Sequence, residues 1–291
     1  MKVEKSTARL RKLLKRPGIV VAPGAYDSLS AKLIEQAGFE AIYMTGFGAS
    51  ASVLGAPDFG LLTMEEMVRH ASRMAAAVGI PVIADADNGY GNPINVYRTI
   101  KEYERAGVAG CHLEDQSLPK RCGHMDGKQV IPAAQFIDKI KAATDSRQDP
   151  DFVIIARTDA RTVIGFEEAL DRASAYAEAG VDMIFLESPL SVYELETAAR
   201  TIKAPLIANM AEGGKTPMLP VAELERMGYK LVIFPIGLLL TATKAMQRAL
   251  EFLRETGTYA GALGDMLGFK EFTNLMSRRP TGSTRGFSAA L

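Results

Sequence analysis

Acids and bases balance at 34 each across 291 residues, so no net field points to nucleic acid or an anionic membrane as a partner. No apolar run reaches the roughly 20 residues needed to span a bilayer, and residues 1–6 are charged, without the apolar stretch of a signal peptide. The two cysteines form neither a disulfide framework nor a Cys-x-x-Cys pair, so a cytoplasmic protein with reduced thiols is expected.

In chain order, short runs rich in valine and isoleucine alternate with longer segments of helical period. Strands are expected at residues 19–23, 41–45, 81–87, 110–115, 152–158, 183–187, 205–210 and 231–235. Helices are expected between them, at 28–37, 63–78, 96–106, 133–144, 166–179, 192–202, 221–227 and 238–256. Several end on glycine where a helix would stop, as at Ala37-Gly38, Ala106-Gly107, Ala179-Gly180 and Met227-Gly228. Such alternation implies a parallel α/β sheet, and eight units in about 250 residues is the size of a (β/α)₈ TIM-type barrel. A doubly wound sheet fits less well, because no Gly-x-Gly-x-x-Gly follows the first strand and no Walker loop occurs. No linker divides the chain, so residues 1–291 are read as one domain. It ends in a helical coda, 257–291, that holds one more amphipathic helix at 269–276 and a loose polar end from 278.

Polar residues gather at the ends of the expected strands: Tyr43 and Thr45, Asp85 and Asp87, Glu114, Arg157 and Asp159, Glu187, Asn209. Barrel enzymes place their chemistry on that face. The i,i+2 pairs put both side chains on one side of a strand. Asp85, Asp87 and Glu114 are hard oxygen donors with no histidine or thiolate pair to attract zinc, which selects Mg²⁺ or Mn²⁺ held partly through water. Glu114 is the member most open to another role, through a water or paired with Arg157 or Lys120. Asp58, on the loop after the second strand, is placed as an outer-shell acid. Arg157 offers a planar fork for a carboxylate, and the Thr45-Gly46-Phe47-Gly48 turn offers backbone N–H groups to another oxyanion. Together these favour a 2-oxo or 2-hydroxy acid chelated to metal, and C–C cleavage or decarboxylation through an enolate.

The loop at about 117–131 carries Lys120-Arg121-Cys122-Gly123-His124. Cations beside Cys122 would favour its thiolate, and glycines would let the loop gate the site. Cys122 is read as a mobile general acid and His124 as the residue that tunes it. His70 is read as a surface residue, and His112 as pointing away from the acids. The bland alternatives are a solvated basic loop or a barrel that binds an acidic metabolite without turnover.

The loop motif resembles the signature of the isocitrate lyase/phosphoenolpyruvate mutase superfamily. Asp85-Ala86-Asp87-Asn88-Gly89-Tyr90-Gly91, His112-Leu113-Glu114-Asp115-Gln116, Ala156-Arg157-Thr158-Asp159-Ala160 and Leu54-Gly55-Ala56-Pro57-Asp58 are similar to its other landmarks. The resemblance runs from about Leu14 to Met276. It implies the barrel, Mg²⁺ at Asp85 and Asp87 with Glu114 nearby, and a homotetramer whose last barrel helix is exchanged between subunits. It also implies substrate contacts at Tyr43, Thr45, Gly46, Phe47, Cys122, Gly123, Arg157, Glu187 and Asn209. Cys122 is similar to the lyases of the family. Ala211 and Leu240 stand where methylisocitrate lyases have polar groups, and residues 209–217 resemble the dimethylmalate lyase and petal-death branch and carboxyphosphonoenolpyruvate phosphonomutase. The function implied is therefore Mg²⁺-dependent cleavage of 2,3-dimethylmalate or another alkylmalate to a 2-oxo acid and a carboxylic acid. Methylisocitrate lyase, phosphonomutase and oxaloacetate hydrolase or decarboxylase activities are the alternatives.

Overall fold

The computed structural model describes residues 4–277. Each of the eight apolar runs forms a strand: β1 (Val20–Ala25), β2 (Ile42–Met44), β3 (Val82–Asp85), β4 (Gly110–Glu114), β5 (Val153–Thr158), β6 (Met183–Leu186), β7 (Leu206–Asn209) and β8 (Leu231–Phe234). Neighbours pair in parallel in sequence order, and β1 pairs with β8, closing the barrel. Closure removes both sheet edges and excludes the doubly wound arrangement.

The helices are α1 (Ser6–Lys15), α2 (Ser28–Gln36), α3 (Gly46–Ala49), α4 (Met64–Ala77), α5 (Pro93–Arg105), α6 (Ala133–Ser146), α7 (Phe166–Glu178), α8 (Val192–Thr201), α9 (Val221–Met227), α10 (Gly237–Thr256) and α11 (Phe269–Ser277). Local chemistry starts several of them. Asp27 and Ser30, Thr63 and Glu66, and Asn92 and Asn95 form reciprocal capping pairs at α2, α4 and α5. The short α3 was not expected as a helix. Thr45 caps it, its hydroxyl accepting from the Gly48 N–H at 3.2 Å.

Strand alternation sorts side chains into two cores. On β5, Ile154 and Ala156 face the helices, while Val153 and Ile155 face the barrel interior. The interior cluster also holds Leu10, a residue of α1 with no exposed surface. Leu13 and Leu14 pack against the same cluster. Arg11 of α1 donates to the carbonyls of Asp151 and Phe152 at 3.0 Å, tying the helix to the start of β5. Thus α1 seals the N-terminal end of the barrel.

The last elements behave differently. Neither α10 nor α11 has a buried residue, and α10 leaves Leu240, Met246 and Leu250 exposed. The end of the coda, from 278, lies outside the described residues.

Candidate active site

At the C-terminal ends of the strands the interior positions change from apolar to charged. On β3 the step is Ile83 to Asp85, on β5 Ile155 to Arg157, and on β6 and β7 Phe185 to Glu187 and Ile207 to Asn209. A cavity of about 190 Å³ opens there, lined by Tyr43, Thr45, Phe47, Asp58, Asp85, Cys122, Gly123, His124, Arg157, Glu187 and Asn209. Ala211, Glu212, Pro235 and Ile236 form another part of its wall. Asp87, Glu114 and Gly46 are buried beside the cavity. A Cβ on Gly46 would sit 2.4 Å from Asp85 Oδ2, so only glycine lets the Thr45–Gly48 turn approach that carboxylate. The Gly46 and Phe47 N–H groups make no hydrogen bond among the described residues, leaving two donors for an anion.

Arg157 is held in place by acids. Asp159 takes its Nε and Nη2 at 2.9 and 3.0 Å, Glu187 lies 3.3 Å from Nη2, and Glu114 lies 3.4 Å from Nε. The fork expected to face a substrate carboxylate is therefore spent on Asp159, and Nη1 is the nitrogen left for a ligand. Burial pushes Asp159 up, but Arg157 and Lys128 outweigh it and hold the carboxyl well below its usual range. Glu187 also receives Asn209 Nδ2 at 3.1 Å and lies 3.3 Å from His124 Nε2. His124 Nδ1 accepts from the Lys215 backbone N–H at 3.0 Å, which places the ring proton of the neutral form on Nε2, toward Glu187. His124 thus orients Glu187 and joins the 117–131 loop to the loop after β7. Lys215 Nζ reinforces that junction 2.6 Å from Asp126.

The acids are arranged differently from a three-carboxylate triad. Among the described residues, no group of three histidine, cysteine, aspartate or glutamate side chains is placed to hold one metal ion. Lys120, expected as a loop cation, is buried between Asp58 and Asp87, its Nζ 2.6 and 2.5 Å from their carboxylates. Burial, opposed by Lys120 and aided by the charges of Asp85 and Asp58, pushes Asp87 up to about 6. Asp85 is pushed up by burial too, yet His112, Lys120 and Arg157 together hold it below its usual range. Burial pushes Glu114 well up despite Arg157, and its Oε1 is a buried acceptor with no hydrogen bond. Hard oxygens and an unsatisfied acceptor fit a divalent cation that takes one or two protein carboxylates and keeps its waters. Asp85 and Asp87 are the carboxylates that would hold it, with Glu114 nearby.

Several expectations are corrected here. Burial outweighs the cations around Cys122, and its thiol is pushed up to about 11 rather than down. Neighbouring charge is legible in a sequence; desolvation is not. His112 does not point away from the acids: it lies two residues from Glu114 on β4, on the same side, and is paired in register with Asp85. Its Nε2 meets Tyr43 Oη at 2.9 Å and lies 3.5 Å from Asp85, and burial lowers it to about 4. Strand alternation could have found it. His70 is half-buried and bonds the Tyr26 carbonyl at 2.9 Å, away from the cavity. Leu240, read as a substrate-side position, is exposed on α10 and absent from the wall of its own chain's cavity. Gly123 is required by contact more than by freedom: a Cβ there would lie 2.3 Å from Arg157 Nη2. The loop lies directly on the site.

Three comparisons bear on this geometry. A family model described as phosphoenolpyruvate phosphomutase matches residues 10–254. The chain is 52% identical over 271 residues to the 2,3-dimethylmalate lyase of Eubacterium barkeri, covering 93% of this chain and 94% of that one. It is 45% identical over 267 residues to a 2-methylisocitrate lyase of Aeropyrum pernix, covering 92% and 86%. The solved structure of phosphonopyruvate hydrolase in complex with oxalate and Mg²⁺ overlays with a TM-score of 0.85 at 31% identity, over 94% of this chain and 95% of that one.

Proposed function

From its place in the isocitrate lyase/phosphoenolpyruvate mutase superfamily, to which the chain belongs, we propose that it cleaves the C2–C3 bond of a substituted malate, of the 2,3-dimethylmalate type, to a 2-oxo acid and a carboxylic acid. The observation that carries this reading is Cys122: a thiol kept protonated by burial, on a loop that lies over a cavity walled by Arg157, Glu187 and Asn209.

The residues divide the work. Arg157 Nη1 and the Gly46 and Phe47 N–H groups receive the substrate's carboxylate oxygens. When the hydroxyl passes its proton to a carboxylate of the site and C2–C3 breaks, the electron pair stays on C3 of the departing fragment. Cys122 gives its proton to that carbon, and a thiol raised to about 11 is still protonated at neutral pH when the need arises. Tyr43, pushed well above its usual range by burial and hydrogen-bonded to His112, remains a neutral hydroxyl at the cavity wall. The loop excludes water that would otherwise protonate the carbanion first. Asp85 and Asp87 would hold Mg²⁺ or Mn²⁺, which would supply positive charge near the substrate's C2 oxygen. The Mg²⁺ and oxalate in the phosphonopyruvate hydrolase structure support this choice of cation and ligand.

Ala211, Pro235, Ile236 and Met125 give the cavity an apolar side suited to alkyl substituents, and Ala211 offers nothing to a third carboxylate. This favours a substituted malate over methylisocitrate; Leu240 no longer contributes to the argument. The exposed apolar residues of α10 support exchange of that helix within a homotetramer.

The test is pyruvate release from a panel of 2-hydroxy acids with Mg²⁺. Cleavage of substituted malates with the highest kcat/KM supports the reading. No cleavage of any of them, with turnover of a phosphonate or of oxaloacetate instead, overturns it.

A further inference from the structure

Lys128 has no place in the chemistry above, yet its side chain is almost completely buried. Its Nζ donates to the carbonyl of Gly123, the residue after Cys122, and to Asp159 Oδ1 at 2.9 Å. Asp159 in turn accepts both bonds from Arg157 and is fixed by its own N–H, which donates to Asp115 Oδ1 at 2.9 Å. One ammonium therefore joins the turn that carries the thiol to the carboxylate that aims the substrate-binding arginine. We propose that Lys128 is a positioning residue, a latch that couples closure of the 117–131 loop, and so the delivery of Cys122, to the Arg157–Asp159 pair.

The argument rests on what opening the loop would do. Gly123 and Lys128 belong to the same loop, so lifting that loop off Arg157 and Glu187 withdraws the ammonium from Asp159. A buried ammonium that loses one of two partners must find water or another acceptor, and either change alters the field at Asp159. Two other ties of the loop stay away from Arg157. Gln116 clamps the backbone of Arg121 through both ends of its amide, at 2.8 and 2.9 Å, and Cys122 N–H donates to the Asp58 carbonyl at 3.1 Å. These hold the loop's shape, and His124 reaches Arg157 by way of Glu187, whereas Lys128 binds the loop directly to Asp159, which takes two nitrogens of Arg157. The inference deepens the lyase reading, since it concerns how that reading's proton donor is placed.

The experiment compares the wild-type chain with Lys128→Met and Lys128→Gln. Alkylation of Cys122 by iodoacetamide is followed by peptide mapping, with and without Mg²⁺ and oxalate, alongside kcat and KM for 2,3-dimethylmalate. Glutamine keeps a donor and a polar head in the buried place, so a variant remains to be measured even where methionine fails to fold. The expected result is that Mg²⁺ and oxalate strongly slow alkylation in the wild type and barely do so in the variants. In parallel kcat falls about 10- to 100-fold, the range of a lost hydrogen bond to a charged group, while KM changes far less. Protection of wild-type strength in either variant overturns the latch. So does a fall in thermal stability with protection and kcat intact, because that is what a purely structural lysine would show. Alkylation is read whether or not a malate is cleaved, so failure of the lyase reading and failure of the latch give different results.

Discussion

At the N-terminal end of the barrel, Val20, Ile83, Val153, Ile155, Ile207 and Leu231 form one apolar cluster with Leu10 of α1. Two residues farther along the same strands stand Asp85, Arg157 and Asn209, and beside them Glu114, Glu187 and His112. The backbone is the same closed sheet at both ends; only the inward-facing residue changes. The lower layer removes apolar surface from water without strain. The upper layer holds charges that cost free energy to bury and are kept only through one another, as Asp159, Arg157 and Glu187 show. Stability and chemistry are thus stacked along one axis, and substitutions should separate them.

The largest effect is expected in the upper layer. Asp87→Ala should lower kcat/KM by at least about 10³-fold, as loss of a group that organises charge at a reacting centre does. Circular dichroism should show the barrel intact, and chelator should silence the wild type reversibly, with Mg²⁺ restoring it. Full turnover in excess chelator would remove the metal from the account. In the lower layer, Leu10→Ala should cost about 2–5 kcal/mol of stability, the usual range for a buried leucine. The variant's melting temperature should fall, while kcat/KM below that temperature stays at the wild-type value. A large loss of kcat/KM in the folded variant would show that the two layers are not independent.

Cys122→Ser sharpens the comparison from the loop side: kcat should drop by about 10²-fold with KM little changed, the signature of a lost general acid. The sign of the pH effect follows from burial. Because desolvation raises the thiol to about 11, the reactive thiolate appears only as pH climbs past 9, so alkylation of Cys122 should keep accelerating there without a plateau near neutrality. A plateau near neutral pH would mean that the cations win over burial after all. The smallest effect belongs to the cavity wall. Ala211→Thr should improve methylisocitrate relative to 2,3-dimethylmalate by about tenfold, the worth of one hydrogen bond to a charged group. Competition kinetics would show it, and no change in the ratio would remove Ala211 from the specificity argument.

The eight strands and the helices between them were legible because valine-rich runs and helical periods are local properties, and closure into a barrel follows from their number and order. The clustering of Asp85, Asp87, Glu114, Arg157, Glu187 and Asn209 was legible too, since strand ends in this fold share one face. α1 as the seal of the barrel was not, because Leu10, Leu13 and Leu14 mark an apolar face in a charged segment without showing what that face covers. Lys120 read as a loop cation and Lys128 gave no signal; only folding buries one between Asp58 and Asp87 and the other between Gly123 and Asp159. The direction of the Cys122 shift was hidden for the same reason. Sequence shows which charges neighbour a group along the chain, whereas desolvation depends on everything that covers it, and coverage exists only in three dimensions.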